Sequence, residues 1–275
     1  RAGRFDWGRW ILLTIGLVFA HAMNNLMNDI TDYEKGVDKD NYFRTQYGPQ
    51  PLEQGLMSKR QILMYAAVTG LIALAAGVPL VIFGGWLALG LLLAGVFFVF
   101  FYTYPLKYIG LGEIAVIIVW GPLMIGGGYY VITGQWDWNV VIASLPYALG
   151  PTTVIFGKHI DKLEQDKAKG IRTLPVLLGE TAARYLALVM MALQYLLIFY
   201  LIAIGYLPWV MVLVLLGLYT VPRVLPIFLK PKPADCPPNY SRDVWPLWYV
   251  AAAFYQNRAY GLALLLGLIT SVVFF

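Results

Sequence analysis

Asn24, Asn28 and Asp32 recur at intervals of four, the spacing that aligns side chains in one row along a helix, and His21 falls close to the same stripe. They open the stretch NNLMNDITDYEKGVDKD, residues 24–40, which carries five carboxylates and three asparagines directly behind the apolar run WILLTIGLVFAHAM. A second polar stretch, GKHIDKLEQDKAKGIRTLPVLL at 157–178, closes another apolar run. The first contains DYEKGV from Asp32 and the second DKAKGI from Asp166, both Asp-x-x-Lys-Gly followed by a β-branched residue, which reads as a weak parallel repeat. Carboxylate and amide oxygens suit hard cations such as magnesium, an ion that keeps several waters and is shared with substrate phosphates. The surrounding Lys and Arg suit a diphosphate. An Asp inside a bilayer costs about 2.5–3.5 kcal/mol on insertion scales, so such carboxylates are functional candidates by default.

The elements that must position these residues are membrane helices. Hydrophobic residues make up 60% of the 275, charged ones only 13%, and the mean hydropathy is +0.67, a balance that excludes a soluble domain. Hydropathy gives eight spans, at roughly 8–31, 60–83, 86–104, 112–132, 139–158, 181–204, 208–228 and 258–275. Long polar loops alternate with very short ones, and 17 of the 20 Lys and Arg lie on or beside the long-loop side, the other three being Arg1, Arg4 and Arg9. The positive-inside rule makes the long-loop face cytoplasmic. Four spans separate the two acidic clusters, an even number, so both are expected at cytoplasmic helix ends, facing each other. The chain reads as a single all-α domain over 1–275, a multi-pass helical bundle of the cell membrane with two parallel four-helix-type halves around a central cavity. Its partner is the lipid bilayer, and no nucleic-acid partner is expected. The leader RAGRFDWGR reads as an interhelical connection, so a further span is expected before Arg1. Cys236, the single cysteine, makes no internal disulfide.

Asn28, Asp29, Asp32, Gly36 and Asp38 match NDxxDxxxGxD position for position, and on this motif the chain resembles the menaquinone-pathway branch of the UbiA superfamily of intramembrane prenyltransferases. PLEQGLMS (51–58), FYTYPLKYIGLGE (101–113) and GIRTLPVLLG (170–179) are similar to further family segments. The resemblance implies a nine-helix fold and magnesium-dependent transfer of a prenyl group from an allylic prenyl diphosphate to an aromatic acceptor, through an allylic carbocation, as in quinone biosynthesis. It implies Asp32, Asp161 and Asp166 as catalytic residues. Asn28, Asp29, Asp32, Asp38, Asp161 and Asp166 are the implied metal ligands. Lys107, Tyr102, Arg44, Lys59, Lys162 and Arg172 are the implied substrate-binding residues. Phe97, Phe98, Phe100, Tyr102 and Tyr104 could line a dry chamber that keeps water from the cation.

The second motif departs from the pattern. Asp161 and Asp166 stand five apart where the family has four, and Lys162 occupies the place of the first Asp. Five residues on a regular helix subtend about 140°, so the pair shares a face only if the helix unwinds there. Glu164 is the alternative partner for Asp161. The Asn-Asn-x-Arg-Asp text of the menaquinone branch is replaced by KHIDK. Prenyl transfer to haem or to a glycerophosphate is the alternative within this chemistry. Two other classes are weighed against it. The DGxxAR text of CDP-alcohol phosphotransferases is absent, and a cation-coupled transporter would place its carboxylates near the bilayer midplane rather than at one face. His21 and His159 are expected to be structural, and the glycines of IGGGYY (125–130) to serve close helix packing.

Overall fold

A computed structural model describes residues 5–39 and 48–274. Only helices and turns occur among the described residues, as expected where lipid offers the backbone no hydrogen-bond partners. The long elements among the described residues are α1 (Trp7–Glu34), α2 (Lys59–Phe101), α3 (Gly112–Thr133), α4 (Trp138–Asp161), α7 (Glu180–Ala203), α8 (Trp209–Leu229) and α9 (Tyr249–Phe274), seven helices long and apolar enough to cross a membrane. The short helices α5 (Leu163–Ala168) and α6 (Leu174–Leu178) follow α4. Local chemistry starts the first two. Asp6 caps α1 by accepting from the Arg9 N–H at 2.9 Å, and Ser58 and Gln61 form a reciprocal capping box at the start of α2.

The segments read from hydropathy at 60–83 and 86–104 belong to one 43-residue helical run, interrupted at Gly85, whose φ of 64° and ψ of −151° are open to glycine alone. The run doubles back there. Leu92 lies against Gly77, 3.1 Å from where a β-carbon would stand, although fifteen residues of straight helix would span about 22 Å. The last helix corrects the expected span of 258–275: it begins at Tyr249. Gln256, Asn257 and Arg258 depress the hydropathy of that stretch, yet Gln256 is buried and donates to Gln194 Oε1 at 3.0 Å. That bond offsets part of the cost of burying the amide.

The chain forms two compact units, one of residues 1–108 and 122–140, the other of 109–121 and 141–275. In the first unit α1 packs along α2, and Gly127 and Gly128 let Leu91 and Leu13 approach to within 3.2 and 3.0 Å of a notional β-carbon. The IGGGYY glycines thus serve close packing. In the second unit α4, α7, α8 and α9 share an apolar core around Phe156, Phe228, Tyr249 and Ala253. Gln194 Nε2 donates to Pro146 O and the Tyr260 hydroxyl to Gln194 O, joining three helices through polar groups within that core.

Candidate active site

Two acidic helix ends are built alike. Where α1 closes, Lys35, Gly36 and Val37 donate their N–H groups to Thr31 O, Tyr33 O and Asp32 O. Beyond α5, Lys169, Gly170 and Ile171 donate in the same order to Gln165 O, Lys167 O and Asp166 O. This is the Schellman arrangement, in which a left-handed residue, here Gly36 at φ 66° or Gly170 at φ 71°, turns the chain away and a following apolar residue is buried. Val37 and Ile171 fill that last place, 2% and 0% exposed. The Asp-x-x-Lys-Gly repeat is therefore the signature of one local structure, used once in each unit, and each copy holds a buried aspartate.

In the first unit Asp32 receives Lys107 Nζ at 3.0 and 3.1 Å on its two oxygens, with both side chains only 9% accessible. Lys107 reaches it from the 3-10 turn Leu106–Ile109, whose start is anchored by the Lys107 N–H on Tyr102 O. Asn28, one turn before Asp32, accepts from the Thr103 hydroxyl at 3.0 Å. Asp38 is buried, and Gln50 Nε2 donates to its carbonyl and carboxylate. Lys35 lies 3.8 Å over the Tyr104 ring, and Lys59 pairs with Glu34 at the surface. His21 is exposed and lies 3.3 Å from the Asn25 amide. Phe97 and Phe100 are each 46% exposed on α2.

In the second unit the helix unwinds at Lys162, whose φ of −117° and ψ of 25° separate α4 from α5. The break sends neighbouring side chains to different tasks. Asp161 turns to the start of α9, where it accepts from the N–H groups of Trp248, Tyr249 and Val250 at 3.0, 3.1 and 3.0 Å, and Lys232 Nζ stands 3.4 Å away. That is a helix N-cap reinforced by opposite charge. Lys162 turns instead to Asp166, its Nζ 2.9 Å from Oδ1, with 8% and 2% of the two side chains accessible. Asp166 Oδ2 is buried without a hydrogen-bond partner. His159 Nδ1 contacts Glu113 Oε1 at 2.6 Å, and the second Glu113 oxygen accepts the Leu174 N–H.

Asn28, Asp29, Asp32 and Asp38 thus gather at the end of α1 with Tyr102, Lys107 and Lys59 in the same unit, whereas Asp161 and Asp166 are parted by the break between them. Glu164 and Arg172 are exposed, and Arg44 lies outside the described residues. Sequence reasoning missed the Glu113 carboxylate, and Lys232 with the Trp245 ring 5.2 Å from its ammonium. The polar residues isolated in apolar text, Glu113 and Gln194, were the available signal. Tyr240 packs on Trp245 and Trp248 and donates to Leu247 O. Burial, with Asp161 and Cys236 adding to it, pushes its phenol up to about 12.

Hard oxygen donors from Asn28, Asp29, Asp32 and Asp38 fit magnesium in kind. No three His, Cys, Asp or Glu side chains come together as a metal cage among the described residues. Each cluster has a buried aspartate that already faces an ammonium, Asp32 with Lys107 and Asp166 with Lys162.

The description of the UbiA prenyltransferase family matches residues 1–247. The chain is 28% identical over 234 residues to a UbiA prenyltransferase domain-containing protein 1 homolog of Drosophila melanogaster, covering 82% of this chain and 62% of that one. It therefore spans about three fifths of that relative's length. It is 24% identical over 272 residues to a 1,4-dihydroxy-2-naphthoate octaprenyltransferase of Bacillus subtilis, covering 95% and 82%. Among solved structures, a UbiA homologue from Aeropyrum pernix K1 superposes with a TM-score of 0.71 at 21% identity, covering 98% and 91%. A homologue from Archaeoglobus fulgidus bound to GPP and Mg2+ superposes at 0.53 and 15%, covering 94% and 89%.

Proposed function

This chain belongs to the UbiA prenyltransferase family, and we propose that it is a magnesium-dependent enzyme of the cell membrane that moves a prenyl group from an allylic prenyl diphosphate to an aromatic acceptor, as in quinone biosynthesis. On this reading residues 1–275 form one transmembrane prenyltransferase domain with its acidic motifs at the cytoplasmic face. The observation that carries the reading is the buried Asp32–Lys107 pair inside a run of oxygen donors. An ionised carboxylate and an ammonium are costly to withdraw from water, and here they stand where a diphosphate would need both a cation and a hydrogen-bond donor. The relatives support the substrates: one is named for a naphthoate acceptor, and one structure is bound to GPP and Mg2+.

Magnesium, when bound, supplies positive charge to the leaving diphosphate. One or two of the oxygen donors Asn28, Asp29, Asp32 and Asp38 would hold it, with water and phosphate completing its shell. Lys107, held beside Asp32, would bring positive charge to the phosphate oxygens. The allylic C–O bond breaks with its electron pair leaving on the diphosphate, the acceptor's ring carbon forms the new C–C bond, and a ring proton departs. Apolar walls keep water from the cation.

The test is pyrophosphate release and prenylated product from labelled prenyl diphosphates offered with a panel of naphthoates and hydroxybenzoates. Asp32→Ala and Asp166→Ala should each lose transfer by a factor of hundreds or more, the equivalent of about 2.7–4 kcal/mol of lost electrostatic stabilisation. Full activity in both variants would end the reading.

A further inference from the structure

We infer that Arg223 and Arg258 bind the headgroup of an anionic glycerophospholipid on the lipid-facing surface of the second unit, where α8 and α9 run side by side. The site needs nothing from the prenyltransferase reading above.

The two helices are antiparallel neighbours. Met211 lies against Gly267, Gly217 against Tyr260, and the Tyr219 and Tyr255 rings meet edge to face with centroids 5.9 Å apart. Arg223 follows Tyr219 by four residues and Arg258 follows Tyr255 by three, the intervals that bring side chains together on one helix face. The ring contact therefore gathers both arginines around it. Arg223 Nη1 donates to the Tyr255 hydroxyl at 3.3 Å, and both Arg223 and Arg258 act electrostatically on the Tyr219 phenol. Both arginines are exposed, and Tyr219 is 64% exposed. Among the described residues neither guanidinium has an Asp or Glu within ion-pair distance.

Depth and surroundings identify the occupant. Residues 259–274 complete α9 without a charged side chain and rise about 24 Å, most of the roughly 30 Å of a bilayer's hydrocarbon core. Arg258 thus stands at the edge of that core, at the level of lipid phosphates, and Arg223 lies toward the same face on the antiparallel α8. Leu216, Leu225, Phe254 and Leu262 are exposed on the same two helices, an apolar surface for acyl chains. A guanidinium turned to lipid with no carboxylate beside it takes its counter-ion from the bilayer. Its planar fork of donors matches the oxygens of a phosphodiester, and the Tyr219 hydroxyl adds another donor. Two permanent positive charges repel a headgroup that carries its own cation, which favours phosphatidylglycerol over phosphatidylcholine.

Native mass spectrometry of the full chain, released from nanodiscs of equal phosphatidylglycerol and phosphatidylcholine, tests this. The most tightly held lipid should be phosphatidylglycerol, preferred tenfold or more. Arg223→Gln and Arg258→Gln should each cut that preference threefold or more and together abolish it, while Arg60→Gln, at an exposed arginine of the first unit, should leave it intact. Equal retention of the two lipids by the unaltered chain would overturn the inference, as would a preference that survives the double substitution or falls as far with Arg60→Gln. A chain released only as a dimer without lipid would overturn it too. Should the double variant fail to fold, a photoreactive phosphatidylglycerol on the unaltered chain decides: cross-links are expected within 216–225 and 254–262, and cross-links confined to other segments overturn the inference. Full displacement of the lipid by soluble glycerophosphoglycerol, which has the same phosphodiester without acyl chains, would overturn the assignment to a lipid.

Discussion

Lys107 and Asp32, 75 residues apart in the chain, form an ion pair with both carboxylate oxygens within 3.1 Å of one ammonium and both side chains nine-tenths withdrawn from solvent. Breaking such a pair from one side leaves the other charge buried alone, at a cost of about 3–5 kcal/mol. Lys107→Met should therefore lower the melting temperature as well as prenyl-diphosphate binding. Asp32→Asn combined with Lys107→Met should recover most of the melting temperature while staying inactive, because stability needs only that neither charge be stranded. Thermal unfolding and transfer assays on the two variants check this.

Asp161 and Gly157 act on one place. A β-carbon on Gly157 would stand 2.8 Å from Tyr249 O and 2.9 Å from Val250 N, the same turn of α9 that Asp161 caps. Gly157→Ala and Asp161→Ala should both loosen that turn, with faster amide exchange over residues 248–252 and a loss of about 2 kcal/mol or more in the aspartate variant, beyond a surface cap because the bonds are buried and charged. Asp166→Asn should show the opposite profile, with exchange unchanged there and transfer lost.

Tyr240 gives an alkaline limit. Its phenol, pushed up to about 12 in the folded chain against about 10 when unfolded, is protonated in both states below pH 10, so its stabilising contribution is whole there. As pH rises from 10 to 12 the unfolded chain releases the proton first, and the contribution is lost. The melting temperature should fall across that window, and Tyr240→Phe should flatten the fall. Equal slopes for both proteins would refute this.

Topology is tested on a Cys236→Ser background. Gln54 and Gln135 are exposed in the turns after the first acidic motif and after α3, and the distribution of Lys and Arg puts them on opposite sides of the membrane. Single cysteines there should label with an impermeant reagent from opposite faces of sealed vesicles. Labelling of both from one face would refute the orientation.

The helix row and the closing turn of residues 24–38 were legible in the sequence because both are local. The four-residue spacing makes a helix face, and Asp-x-x-Lys-Gly at Asp32 and Asp166 reads as a repeat; the structure builds both copies as the same Schellman close. Membrane class and helical content followed as directly, since lipid leaves an apolar chain no other way to satisfy its backbone. The partners of the charges were not legible. The spacing of Asp161 and Asp166 posed the question of an unwound helix, but only the packing of α4 against the start of α9 gives Asp161 to backbone groups 87 to 89 residues away and leaves Asp166 to Lys162. Gln256 hid the first turns of α9 from hydropathy until its bond to Gln194, 62 residues earlier, showed how an amide is carried into an apolar core. Helix periodicity and caps are written within a few residues, whereas a buried charge takes its partner from whatever element packing brings beside it, and that is decided by the tertiary structure alone.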